Sequence, residues 1–109
     1  MQIIGTPELK NLFDRGAKFT LIHTLSPAES EHTLIPGAEN VPLADERFCD
    51  KVEQLAGSKE ATVVVYCASS ECDSASKAAN QLEAADFTDV MVYQGGAKAW
   101  QATGGLLAS

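Results

Sequence analysis

The run Thr62-Val63-Val64-Val65-Tyr66 constrains this chain more than any other stretch. Its residues are β-branched or aromatic, and no polar partner interrupts them. A strand with one wet face alternates, whereas a continuous apolar run marks a strand covered on both faces. Such a sheet needs a layer of helices on each side, and the flanking sequence supplies the patterns. Thr6-Pro7-Glu8 reads as a helix start, with a capping hydroxyl, proline at the first helical position and an acid at the positive helix end. Leu9, Leu12 and Phe13 then share a face, and Gly16 supplies the stop. A second helix is expected over 44–56, with Phe48, Val52 and Leu55 on one face and Gly57 after it. A third follows from the spacing of Ala75, Ala78, Ala79, Leu82 and Ala85, and a short fourth carries Trp100 after Gly95-Gly96. Strands are expected at Phe19 to Thr24, around Val41 and at Val90 to Tyr93. This alternation predicts an α/β fold: three layers, with a mostly parallel central sheet and helices on both faces.

At 109 residues the chain is expected to be a single domain, with its core at about 3–102 and a frayed tail at 103–109. It carries 15 acidic residues against 8 basic, a formal charge of −7. Nucleic-acid binding needs a basic footprint that displaces counterions, so neither nucleic acid nor an anionic membrane is an expected partner. No stretch reaches the eighteen or so apolar residues of a membrane span. The start, Met1-Gln2-Ile3-Ile4-Gly5-Thr6-Pro7, shows no basic region and no long apolar run, so no secretory signal is expected. Three cysteines, Cys49, Cys67 and Cys72, are too few for a disulfide scaffold. A reducing, cytoplasmic setting is the expectation, and there a thiol serves packing or chemistry.

Cys67 is the thiol placed for chemistry. It directly follows the most buried strand, and a helix starts six or seven residues later. In parallel α/β sheets, ligands sit beyond the carboxyl ends of the strands. The loop reads Cys67-Ala68-Ser69-Ser70-Glu71-Cys72-Asp73, and its small residues allow a tight curl. A curled loop feeding a helix N-terminus aims backbone N–H groups at one point, here those of Ala68, Ser69, Ser70, Glu71 and Cys72. Such donors bond a thiolate and not a thiol, so they lower a pKa that is ordinarily about 8.5 by one unit or more.

The chain resembles the rhodanese-like sulfurtransferase domains over roughly residues 3–102. The resemblance rests on Leu21-Ile22 before a long connection and on Ile35-Pro36-Gly37-Ala38-Glu39-Asn40-Val41-Pro42. It continues through Val63-Val64-Val65-Tyr66-Cys67, Ala78-Ala79, Leu82 and Phe87-Thr88-Asp89-Val90, and ends at Gly95-Gly96 with Trp100. It implies that Cys67 takes a sulfane sulfur from a donor, becomes a persulfide and passes the sulfur to a thiol or other nucleophile. No cofactor or metal is implied. The partners implied are a small sulfur donor or a persulfidated protein. Six loop residues from Cys67 through Cys72 match the sulfur-transferring loop; the phosphatase relatives have one residue more and end in arginine.

Several positions depart from the family pattern. Cys72 stands where arginine or another polar residue is common. His23 and Leu25 replace the Asp and Arg that often follow the Leu21-Ile22 strand, and Thr33-Leu34 replaces a Gly-His. The loop carries Glu71 and Asp73 instead of a cation. A nearby carboxylate opposes a dianionic donor by on the order of 1 kcal/mol or more. Cys72 opens a redox alternative: its attack on a Cys67 persulfide expels hydrosulfide and leaves a disulfide that a thioredoxin-like reductant would recycle. The same pair could act as a sulfenate and a resolving thiol. A third alternative is a regulatory module with little turnover. Cys49 and Trp100 read as packing residues, His23 as a strand histidine satisfied by backbone, His32 as solvated, and Asp73 as a helix cap. Neither the cysteines nor the histidines have zinc-site spacing.

Overall fold

In the computed structural model, which describes residues 1–25, 34–68 and 73–104, the apolar run becomes the centre of the molecule. Along the chain come β1 (Gln2–Ile4), α1 (Thr6–Asp14), β2 (Thr20–His23), β3 (Glu39–Asn40), α2 (Phe48–Ala56), β4 (Val63–Tyr66), α3 (Ser74–Ala84), β5 (Val90–Tyr93) and α4 (Gly96–Ala102). The strand order is β1-β5-β4-β2-β3, and every described pairing is parallel. β4 lies in the middle, with Thr20 to His23 of β2 opposite Val63 to Tyr66 on one side and Val90 to Val92 of β5 opposite Val63 to Val65 on the other.

All four β4 side chains are fully buried. Burying one such side chain stabilises by about 1.5–3 kcal/mol, so the four together rival the net stability of a small domain, about 5–15 kcal/mol. Alternation sorts them between two cores. Val63 and Val65 join Ile22, Val90 and Val92 against Phe48 and Val52 of α2 and Ala75, Ala78, Ala79 and Leu82 of α3. Val64 and Tyr66 join Ile4, Leu21 and Tyr93 against Leu9 and Leu12 of α1 and Ala97 of α4. The three-layer arrangement expected from the sequence is therefore present, with α2 and α3 on one face and α1 and α4 on the other.

Several local expectations change. β1 was not foreseen: it is a three-residue edge strand paired, among the described residues, only with β5, and its Ile3 is 59% exposed. The cap of α1 is Gly5, not Thr6, with the Glu8 carboxylate accepting from the Gly5 N–H at 3.2 Å. The Thr6 hydroxyl is instead 2.6 Å from the Tyr93 hydroxyl, tying α1 to β5. α2 begins at Phe48 rather than Ala44, and Leu55 in its last turn is 45% exposed. Phe13 is also largely exposed, but its ring meets Phe19 at 5.1 Å and Trp100 at 5.5 Å. Trp100 is thus a packing residue that joins α4 to α1, as expected. The tail at 105–109 lies outside the described residues.

Tyr66 is the polar member of the core. Its hydroxyl accepts the Ile35 N–H at 2.8 Å, and its ring meets the edge of His23 at 4.7 Å. Burial pushes the phenol well above its ordinary pKa and outweighs the Ile35 N–H, which lowers it. The folded group therefore stays neutral above pH ~10 while the unfolded one ionises. Its contribution to stability is full below that pH and is lost as pH rises further. Tyr66→Phe leaves the Ile35 N–H buried without this acceptor, which costs about 1–3 kcal/mol in denaturant unfolding at pH 7. The alkaline fall in stability should also be shallower in Tyr66→Phe than in wild type, as thermal melts between pH 9 and 11 would show.

Candidate functional site

The path of the chain marks one end of the sheet. The connection leaving β2 leads outward to β3, and the one leaving β4 leads through α3 to β5 on the opposite side. The carboxyl ends of β2 and β4 therefore flank the point where strand order reverses, where open α/β sheets bind ligands. Cys67 is the first residue beyond β4, and α3 begins seven positions later at Ser74, as the sequence spacing predicts. Cys67 is 2% exposed and packs with the core that contains Val65 and Ala75.

The backbone around Cys67 is held from two sides, by Thr24 and by α4. The Tyr66 carbonyl accepts two hydrogen bonds, from the Thr24 N–H at 3.1 Å and from the Thr24 hydroxyl at 3.2 Å. Next, the Cys67 carbonyl accepts from the Ala97 N–H at 3.0 Å and the Ala68 carbonyl from the Lys98 N–H at 2.9 Å. Consecutive carbonyls in a strand point to opposite sides. Those of Cys67 and Ala68 both turn to α4, so the chain leaves strand geometry and begins to curl at Cys67 itself. Because a trans peptide unit is planar, with its N–H opposed to its carbonyl, the Ala68 N–H is directed away from α4.

The donors Ala97 and Lys98 are first-turn amides of α4, groups that have no partner within their own helix. Cys67 and Ala68 thus cap α4. Two glycines shape the turn into α4. Gly96 has φ +67, the left-handed region that suits glycine. A Cβ on Gly95 would stand 2.6 Å from the Ala99 Cβ, closer than two carbons can sit. The start of α4 therefore passes close beside Cys67 and Ala68.

At the other end of the loop, Asp73 occupies the cap position of α3, but its side chain makes no cap hydrogen bond. It pairs instead with Lys77 at 3.2 Å, so the expected capping role is corrected to an exposed i,i+4 ion pair. The first turn of α3 is tied down by Ser74, whose hydroxyl lies 2.9 Å from that of buried Thr24. Sequence reading missed this contact; the two residues are fifty positions apart, and neither carries a motif.

His23 at the end of β2 is fully buried, with Nδ1 accepting the Leu25 N–H at 3.2 Å. Asn40 on β3 donates to the carbonyls of His23 and Leu25 at 3.1 and 2.7 Å. His23 is therefore a strand histidine bonded to backbone, as expected. Cys49 lies across the sheet's helical layer, its thiol directed to the Gln81 carbonyl at 3.7 Å, and burial followed by the neighbouring Asp50 pushes its pKa up. It is a packing thiol. The expected loop residues Ser69, Ser70, Glu71 and Cys72, and also His32, lie outside the described residues. Among the described residues no helix is long and apolar enough to cross a membrane, and no group of three or more His, Cys, Asp or Glu could hold a metal ion.

The sequence also matches a family model. The rhodanese-like domain model covers residues 6–103. Among solved structures, a rhodanese-like domain from Anabaena sp. is 28% identical, with 96% of this chain and 76% of that one aligned at a TM-score of 0.80. A rhodanese-like domain protein from Staphylococcus aureus is 25% identical over 100% of both chains, with a TM-score of 0.77. A human single-domain sulfurtransferase, 20% identical over 94% of this chain and 96% of its own, shares the fold at a TM-score of 0.76. No curated protein matches the chain. With the family model matched over nearly the full length and the same fold in each of these structures, the chain belongs to the rhodanese-like domain family.

Proposed function

We propose that this domain is a sulfurtransferase that carries sulfane sulfur as a persulfide on Cys67. The observation that carries the reading is the position of Cys67. It ends the fully buried central strand at the point where strand order reverses, and there the chain starts to curl toward a helix start. Family membership and the likeness in fold to sulfurtransferases support the same conclusion.

The chemistry is nucleophilic catalysis. The Cys67 thiolate attacks the outer sulfur of the donor, the donor's sulfur–sulfur bond breaks, and its remainder leaves as an anion. The terminal sulfur of the new persulfide bears the negative charge, which the loop amides from Ala68 to Cys72 hold without a metal or cofactor. An acceptor thiolate then attacks that terminal sulfur, and Cys67 leaves as thiolate. Cys72, if it attacks the inner sulfur, releases hydrosulfide and closes a disulfide for a thioredoxin-like protein to reduce. The donor class that fits is a neutral or protein-bound persulfide. Glu71 and Asp73 repel a dianion, and the Lys77 ammonium beside Asp73 already has a carboxylate partner.

The 2% exposure of Cys67 favours a second reading, a regulatory module that binds partners without turning over sulfur. Whole-protein mass spectrometry after exposure to a low-molecular-weight persulfide separates the two. Wild type should gain one sulfur, Cys67→Ser none, and Cys72→Ser should still load. Loading that is equal in wild type and Cys67→Ser would contradict the sulfurtransferase reading and leave the binding module.

Donor preference gives a further check. Steady-state transfer from thiosulfate should be weaker than from a low-molecular-weight persulfide, and Glu71→Gln should narrow the gap by about fivefold, the equivalent of ~1 kcal/mol. Equal rates with both donors, unchanged in Glu71→Gln, would remove the electrostatic argument.

A further inference from the structure

The two helical layers carry charge of opposite sign. Residues 6–18 and 96–104, which hold α1 and α4, carry Lys10, Arg15, Lys18 and Lys98 against Glu8 and Asp14, a net +2. Residues 44–60 and 73–89, which hold α2 and α3, carry nine acids against four cations, a net −5. Pairing sharpens the contrast. Among the described residues, Arg47, Lys51 and Lys77 each meet a carboxylate of their own layer, whereas none of the four cations on the α1 and α4 side is ion-paired. One of the two acids there is also committed, since the Glu8 carboxylate accepts the Gly5 N–H. The field of an exposed charge fades over roughly 8 Å at physiological salt, so a partner on this layer meets its local charge more than the total of −7.

The same layer holds an aromatic cluster that reaches the surface. Phe13 is 37% exposed, and its ring meets Phe19 at 5.1 Å and Trp100 at 5.5 Å. The Lys10 ammonium stands 5.9 Å from the centre of the Trp100 ring and donates to the Thr103 carbonyl at 3.0 Å, which fixes a cation at the edge of the cluster. Exposed Lys98 lies two residues before Trp100 on α4, and exposed Lys18 lies immediately before Phe19. Aromatic anchors within a charged rim make a protein-binding surface: the rings supply area to bury, and the rim steers and orients the partner. We propose that this face of α1 and α4 docks an acidic protein segment bearing an apolar side chain. The apolar group covers Phe13 and Trp100, and carboxylates meet Lys10 and Lys98. Nucleic acids and anionic membranes take denser basic tracts than these few lysines supply. The inference goes beyond the sulfurtransferase reading and stands without it.

Trp100 is the chain's single tryptophan, so its fluorescence reports occupancy of this face directly. The probe is a synthetic peptide with a pair of leucines flanked by glutamates and no aromatic residue; a lysine-flanked peptide of the same length is its charge-reversed control. Titration should shift the Trp100 emission with the glutamate peptide and not with the lysine peptide. The affinity should fall severalfold between about 0.05 and 0.5 M salt. Lys98→Glu should weaken binding by about fivefold, and Lys10→Glu by at least as much. Lys51→Glu, on the opposite layer, should bind as wild type does. Phe13→Ala should weaken binding by about tenfold through loss of the apolar anchor. If that variant fails to fold, Lys98→Glu, an exposed change that leaves the ring contacts in place, carries the test. No emission shift with the glutamate peptide, equal binding of both peptides, or binding unchanged in both Lys10→Glu and Lys98→Glu overturns the inference. Tighter binding of phosphatidylserine vesicles or single-stranded RNA than of the glutamate peptide also overturns it. So does salt-sensitive association of the protein with itself that Lys98→Glu abolishes, seen by sedimentation without peptide, because the occupant would then be a second copy.

Discussion

Everything at the functional end of this protein depends on how the last carbonyls of the central strand are satisfied. Tyr66, Cys67 and Ala68 present three carbonyls in a row, and each receives a donor from a different part of the fold or a different residue of α4. An unsatisfied buried carbonyl costs about 1–3 kcal/mol, so these bonds fix the backbone firmly. Two of them face the same way, and that is what ends the strand at a cysteine and starts a curl. α4 gains in turn, because its first-turn amides find partners that a helix does not supply to its own first turn. Capping of α4 and curling of the cysteine loop are one event seen from two sides.

Two effects of opposite sign then act on the Cys67 sulfur. Burial penalises the charged form, and Cys49 in the same chain shows the direction: with burial the largest cause and Asp50 adding to it, its pKa rises. Cys67 is more deeply enclosed than Cys49, so burial alone would leave it an inert thiol. Several amide donors bonded to the charged form can lower a pKa by more than burial raises it, provided they converge on the sulfur. The proposed chemistry therefore requires that donors win over desolvation at position 67.

Much of this arrangement was legible in the sequence because it is encoded locally. The β-branched run announced a strand buried on both faces, Cys67 stood at its end, and Gly95-Gly96 marked a close backbone approach. What was not legible depends on partners distant in sequence. β1 is three residues long, and its existence follows from pairing with β5 near the other end of the chain. Thr6 has the composition of a helix cap, but its hydroxyl is engaged by Tyr93, and Gly5 takes the cap position instead. Leu55 has the right helical phase for burial yet lies in the last turn of α2 at 45% exposure. Thr24 carries no motif, and its bonds to the Tyr66 carbonyl and its contact with Ser74 become visible only when β2, β4 and α3 are brought together.

The balance between donors and desolvation can be read directly from the reactivity of two cysteines in one molecule. Isotope-coded alkylation of the folded protein, resolved by peptide mass spectrometry between pH 5 and pH 9, gives the ionisation of Cys67 with Cys49 as internal reference. Cys67 should keep reacting at a nearly constant rate to below pH 7, while Cys49 slows about tenfold for each unit of acidification below its own raised pKa. Parallel pH dependence of the two thiols, or a Cys67 that reacts only after denaturation, would contradict the account.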